Sequence, residues 1–189
     1  MAAVSQPSHQ RQLILITGPA RSGKSEWAEQ QALQSQKPVT YIATAQHIAG
    51  DRDWQQRIQR HQERRPTAWQ TQEVPLHLAA AIRQAHPNHC LLVDSLGTWL
   101  ANCIEFEECR WQQQADELVE SLHQSPCDII VVSEETGWGV VPAYELGRRF
   151  RDRLGSLSRQ IGAVATHVYL VTGGYAIDLR QFGTPLPQV

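Results

Sequence analysis

No apolar run in this sequence approaches the roughly 20 residues needed to cross a bilayer. A charge surplus is lacking too. Lys and Arg number 17 against 19 Asp and Glu, for a formal net charge of -2, so no global basic surface invites nucleic acid or an anionic membrane. Cysteines are few: Cys90, Cys103, Cys109 and Cys127, none in a C-x-x-C pair. That spacing argues against a zinc site, and the nearest approach to one, "HPNHC" with His86, His89 and Cys90, reads as a polar loop before a strand. Unpaired thiols without a secretion signal fit a reducing cytoplasm. The leading "MAAVSQPSHQRQ" lacks the apolar core of a signal peptide, and residues 1–11 are expected to form a short disordered lead-in. Repeats and low-complexity stretches are missing as well. What remains is the composition of an ordinary globular chain, 41% hydrophobic and 19% charged, of a length that suits one domain over residues 1–189.

What is present is alternation. Short runs are apolar at nearly every position: "QLILIT" (12–17), "VTYIA" (39–43), "CLLVD" (90–94), "DIIVVS" (128–133) and "HVYLVT" (167–172). Unbroken Val/Ile/Leu runs are what strands look like when both faces are covered, as in a parallel sheet. Helix-like stretches are expected over 23–34, 51–65, 76–86, 98–123 and 142–164. Strand and helix in turn predict a three-layer α/β fold with right-handed crossovers, ended by the Pro- and Gly-containing tail "RQFGTPLPQV".

The first strand runs into Gly18, Pro19, Ala20, Arg21, Ser22, Gly23, Lys24 and Ser25, which match the phosphate-loop pattern G-x-x-x-x-G-K-[ST]. The context fits, with a buried strand before and a helix after. Glycines let backbone N–H groups turn inward as an anion nest, and the helix start adds its positive dipole end. Lys24 supplies a charge to the terminal phosphates and Ser25 a hydroxyl to Mg²⁺, so a nucleoside triphosphate is the expected ligand. Asp94, the first carboxylate after an apolar run, is the expected second Mg²⁺ partner. A capping role for the helix beginning "SLGTWLAN" is the plainer alternative, and the two roles are compatible.

A second constellation lies in "DRDWQQRIQRHQERR" (51–65), where Arg57, His61, Arg64 and Arg65 share one helical face. Such a stretch can be a solvated charged helix. It also follows the second strand, near the carboxyl ends where ligands bind in these sheets. A histidine among arginines is expected to stay neutral, and a neutral imidazole is a nucleophile toward phosphorus. The guanidinium groups would stabilise charge building on a transferring phosphoryl group.

These blocks resemble a known family, the bifunctional adenosylcobinamide kinase / adenosylcobinamide-phosphate guanylyltransferases of cobalamin biosynthesis. The resemblance runs from about Leu13 to Leu179 through "TGPARSGKS", "YIATAQ", "RIQRHQERRPTAWQTQE", "LLVDSLGTWLAN" and "EETGWGVVPAYELGRRFRDRLG". The R-I-x-x-H-x-x-x-R-P-x-x-W-x-T-x-E block is the specific part. The resemblance implies a RecA-like, mostly parallel P-loop NTPase sheet and association as trimers. It implies phosphorylation of adenosylcobinamide by ATP or GTP, then GMP transfer from GTP onto adenosylcobinamide phosphate through a GMP-histidine at His61. Nucleotide contacts implied beyond the phosphate loop are Ala43, Thr44, Ala45, Gln62, Glu63, Arg64, Arg65, Glu73 and Asp94. A buried Glu73 would suit a guanine edge. Two positions depart from the family pattern: Glu134-Glu135 stands where an asparagine usually precedes the glutamate, and Ser158-Arg159 replaces an asparagine–glutamine pair. Both bear on cobinamide or subunit contacts rather than on nucleotide chemistry.

Trp99, Trp111, Trp138 and Tyr144 are candidates to face a corrin ring, or else core and interface aromatics. "ETGWGVVP" reads as a loop able to cover a site, and "RRFRDR" (148–153) as a charged helix face or a phosphate or subunit contact. Two other functions stay open on the residues alone: a small-molecule kinase without nucleotidyl transfer, which needs no covalent histidine, and a GTP-binding regulatory protein, which turns over no acceptor.

Overall fold

A computed structural model describes residues 11–46, 50 and 52–187, without the side chains of Arg52, Asp53, Trp54 and Arg57. The strands are β1 (Leu13–Gly18), β2 (Val39–Ala43), β3 (Gln70–Glu73), β4 (Cys90–Asp94), β5 (Asp128–Glu134), β6 (His167–Thr172) and β7 (Tyr175–Asp178). The helices are α1 (Lys24–Gln34), α2 (Arg52–Glu63), α3 (Leu78–Arg83), α4 (Leu96–Cys103), α5 (Glu108–Gln124), α6 (Glu145–Val164) and α7 (Leu179–Phe182). All seven strands form one sheet in the order β3-β2-β4-β5-β1-β6-β7, parallel throughout except for β7.

Alternation along each strand makes the layers. Leu13, Leu15, Leu91, Val93, Ile129 and Val131 point to one face, where they pack with Leu118 and Leu122 of α5 and Leu154, Leu157 and Ile161 of α6. Ile14, Ile16, Leu92, Ile130 and Val132 point to the other, against Ala28 and Ala32 of α1. The small alanines let the phosphate-loop helix lie close on the sheet. The central strands are therefore buried on both faces, as their unbroken apolar runs predict.

Two strands escape the apolar-run criterion. β3, "QTQE", is polar and exposed at every position, and only its parallel ladder to β2 makes it a strand. β7 returns antiparallel on β6 through Gly173-Gly174, whose φ values of 59° and 83° are the left-handed conformations a two-residue hairpin turn requires. The helix expected over 98–123 is two helices, broken at residues 104–107. Arg153 of α6 explains the break. Buried to 6% exposure, it donates to the carbonyls of Ile104 (3.0 Å) and Phe106 (2.9 Å) and to Glu108 Oε2 (2.9 Å), satisfying backbone groups that a continuous helix would have paired internally. The expected helix over 76–86 shortens to α3, and that over 142–164 starts at Glu145.

Of the expected lead-in, residues 1–10 lie outside the described residues. Arg11 is described, and its guanidinium donates to the carbonyls of Leu122 and His123. Among the described residues no helix is long and apolar enough to cross a membrane.

Candidate active site

The loop between β1 and α1 turns on Gly23, the residue before α1, whose φ of 91° a side chain would strain. Ser22 N–H donates to Pro19 O (3.3 Å) and Trp27 N–H to Gly23 O (2.9 Å), closing the loop onto the first turn of the helix. Lys24 is only 6% exposed and donates through Nζ to Pro19 O at 3.3 Å. The Ser22 hydroxyl is buried without a hydrogen-bond partner among the described residues. A polar lining of this kind at a helix N-terminus suits an anion.

Opposite the loop stand the ends of β2 and β4. Register places Ala43 beside Asp94 on one side and Glu73 on the other. Tyr41, 2% exposed, donates its hydroxyl to Asp94 Oδ2 at 2.7 Å. Burial first, then the Asp94 charge, pushes that hydroxyl far above an ordinary phenol, so it stays a donor. The guanidinium of Arg65 stacks on the Tyr41 ring, 3.5 Å from its centre, and reaches Thr71 Oγ1 at 3.3 Å.

The cap of α4 is Ser95, not Asp94: the Ser95 side chain accepts from Thr98 N–H, and Thr98 reciprocates. Thr44 is fully buried, donates to Ser95 O (2.7 Å), and its carbonyl accepts from Asn102 Nδ2 (2.9 Å). Glu134 completes the network, accepting from Ser95 Oγ at 2.5 Å and from Gly97 N–H at 2.9 Å. This carboxylate thus closes the start of α4 while facing the cleft.

His61 sits in the last turn of α2 with Nδ1 3.6 Å from Asp94 Oδ2 and 3.5 Å from an Arg64 nitrogen. Carboxylates from other elements stand nearby: Asp94 faces the ring, and Arg64 is held by Glu26 and Glu29 of α1. The side chain of Arg57 lies outside the described residues.

The result is an open cleft between the phosphate loop, the ends of β2 and β4 and the last turn of α2. It brings together Lys24, Ser25, Ala43, Ala45, His61, Gln62, Arg65, Glu73 and Asp94. Thr44 supports its wall from beneath. Glu63 accepts from Gln59 Nε2 (2.8 Å) on the exposed side of α2, and Arg64 turns toward α1. Glu73 is exposed rather than buried, because β3 is an edge strand. The sequence reading missed Tyr41, Ile58, Thr71, Ser95, Thr98 and Glu134 in the lining. Tyr41 alone carried a signal, a hydroxyl inside an apolar strand that needs a partner.

Of the aromatic candidates, Trp99 and Trp111 are core residues with ring centres 5.8 Å apart, whereas Trp138 and Tyr144 are exposed. The basic cluster disperses into local contacts: Arg148 to the Pro142 and Ala143 carbonyls, Arg149 to Glu145, Arg151 to Asp152 and Arg153 to the helix break. Ser158 bonds Ser133 (2.7 Å) and Arg159 reaches Pro187 O (3.3 Å). His86 and His89 adjoin each other, but no group of three or more metal-binding side chains gathers among the described residues.

Comparison with solved structures speaks to the fold. A Pyrococcus horikoshii OT3 protein matches at TM-score 0.55 and 8% identity over 89% of this chain and 85% of its own. An ATPase of a bacterial type III secretion system matches at TM-score 0.51 and 10% identity over 92% and 58%. With the phosphate loop and the mostly parallel sheet, this is a three-layer α/β fold of the P-loop type. Sequence relatives are closer. The bifunctional adenosylcobalamin biosynthesis protein CobP of Pseudomonas aeruginosa is 45% identical over 91% of this chain and 98% of its own length. Proteins of that description named CobU, from Escherichia coli and Salmonella typhimurium, are 33% and 34% identical over 89% of this chain and 99% of theirs. Residues 14–179 match the family described as cobinamide kinase / cobinamide phosphate guanyltransferase, and with relatives this similar along nearly the whole chain, the protein belongs to that family.

Proposed function

We propose that this chain catalyses both reactions of its family in the one cleft: phosphorylation of adenosylcobinamide by ATP or GTP, and GMP transfer from GTP to adenosylcobinamide phosphate through a GMP adduct on His61. The observation that carries the reading is that one cleft holds Lys24 and Ser25 of the phosphate loop and, across it, His61 of α2.

In the kinase step the loop amides and Lys24 hold the triphosphate, and the acceptor hydroxyl oxygen attacks the γ-phosphorus directly. The bond to the β–γ bridging oxygen breaks, the nucleoside diphosphate leaves with the electron pair, and the hydroxyl proton is released to solvent. In the guanylyl step a ring nitrogen of His61 donates its lone pair to the α-phosphorus of GTP. The P–N bond forms as the P–O bond breaks, and pyrophosphate leaves with the electron pair. The substrate phosphate then attacks the same phosphorus, the P–N bond breaks, and adenosyl-GDP-cobinamide departs. Asp94 beside the ring supports the positive charge that builds on the imidazole. Mg²⁺ fits the oxygen donors here: Ser25 and Asp94 would hold it, and few protein ligands suffice when phosphates and waters complete the shell. Bound there, it would neutralise phosphate charge. A cytoplasmic trimer is the assembly the family resemblance favours.

The test is incubation with α-labelled GTP and Mg²⁺. Wild-type protein takes up label in an acid-labile, base-stable bond. His61→Ala takes up none, yet with an unchanged thermal transition it keeps kinase activity and accumulates adenosylcobinamide phosphate. Wild-type labelling in His61→Ala would refute the nucleophile, and loss of kinase activity in the well-folded variant would refute the division of labour.

A further inference from the structure

We infer that Glu26 and Glu29 are positioning residues for guanylyl transfer: with Arg64 they form a clamp that docks the His61 end of α2 onto the phosphate-loop helix. The inference rests on the reading of His61 as nucleophile.

No described side chain of α2 is buried, and only Ile58 and His61 are half-buried. Around the last turn of α2 the described apolar contact is slight, so polar contacts help set where that turn lies. Arg64 is the residue just beyond that turn, where a cation is also favoured by the helix dipole. Glu26 and Glu29 are three residues apart on α1 and so share a face. One Arg64 nitrogen bonds Glu26 Oε1, and the other bonds Glu29 Oε1 at 3.1 Å while lying 3.5 Å from His61 Nδ1. The fork of one guanidinium thus ties two carboxylates of α1 to the nucleophile's ring.

Glu29 is the inner half of the clamp, its side chain 14% exposed against 57% for Glu26. Burial raises the Glu29 carboxyl, and the Arg64 charge works against that rise. An isolated exposed ion pair fixes little. A guanidinium that bridges two carboxylates, one of them half-buried, fixes a direction as well as a distance. Here the direction is that of His61 relative to the triphosphate, because α1 begins at Lys24 in the phosphate loop itself. In-line attack on the α-phosphorus is sensitive to displacements of an ångström. Direct γ-phosphoryl transfer does not use the ring and should not notice the clamp.

The experiment compares the full-length wild type with Glu29→Gln, Glu26→Gln/Glu29→Gln and Glu26→Asp/Glu29→Asp. Single-turnover adduct formation from α-labelled GTP is followed as a function of GTP concentration, beside γ-phosphoryl transfer to adenosylcobinamide. The Gln double variant should lose about tenfold in maximal labelling rate, with half-saturating GTP and kinase rate each within about twofold of wild type. The Asp double variant, which keeps both charges, should recover about threefold or more of that loss. Labelling of the Gln double variant at the wild-type rate would overturn the clamp. So would a parallel fall of both activities with a lowered thermal transition, which marks a merely structural role. Absence of label on the wild type would instead remove the His61 reading, and the clamp's purpose with it.

Discussion

Lys24 shows how one residue's chemistry depends on its surroundings. Its ammonium is almost wholly buried and held on Pro19 O, a single backbone acceptor at 3.3 Å. A triphosphate offers it a stronger, charged partner in the same loop. Lys24→Ala should therefore lower both activities together, by about 100-fold or more, because the proposed function has one phosphate loop serve both reactions. Parallel assays with α- and γ-labelled nucleotides check this, and an undiminished kinase rate would mean that a separate nucleotide site exists. Tyr41, Asp94 and His61 make the complementary point. Asp94 and His61 are legible as candidates from strand end and motif, but their meeting at 3.6 Å, with Tyr41 beneath, depends on three elements converging.

Among the elements, the break between α4 and α5 is the clearest tertiary decision. Nothing in "ANCIEFEECR" is a proline or glycine, so local propensity favours one continuous helix. The chain breaks because Ile104 and Phe106 pack against the core while Arg153 accepts the burden of their carbonyls. Arg153→Met keeps the length and loses the donors. It should cost about 2–3 kcal/mol and lower the thermal midpoint by roughly 5–10 °C. Calorimetry checks the figure, and guanylyl transfer at low temperature should change little because the break lies away from the cleft lining. β3 teaches the converse. Its four polar residues carry no strand signal, yet pairing with β2 brings Thr71 and Glu73 to the cleft.

For the molecule as a whole, the two-faced core predicts how the thiols behave. Cys90, Cys103 and Cys127 are buried and Cys109 is exposed on α5. Burial pushes the Cys90 thiol up to about 12 and the Cys103 thiol up to about 11, and raises Cys127 as well. At pH 8 these three are both inaccessible and protonated, so iodoacetamide should modify one thiol per native chain, at Cys109, and four after denaturation. Intact mass and peptide mapping count them. A second fast-reacting thiol in the native protein would show that one face of the sheet opens readily.

By itself the sequence determined the layered α/β class, the central parallel strands, the phosphate loop and the candidacy of His61 and Asp94. All of these rest on local information: runs of apolar residues, a glycine-bounded turn and spacing along one helix. The tertiary structure alone decided the polar edge strand β3, the exposure of Glu73, the helix break at Arg153, the capping of α4 by Ser95 and Glu134, and the carboxylates that face His61 and Arg64. The physical reason is common to them. Each depends on partners far away in sequence, such as β2 for β3, α6 for the break and α1 for Arg64, and a hydrogen bond or ion pair between distant segments leaves no periodic trace in either one.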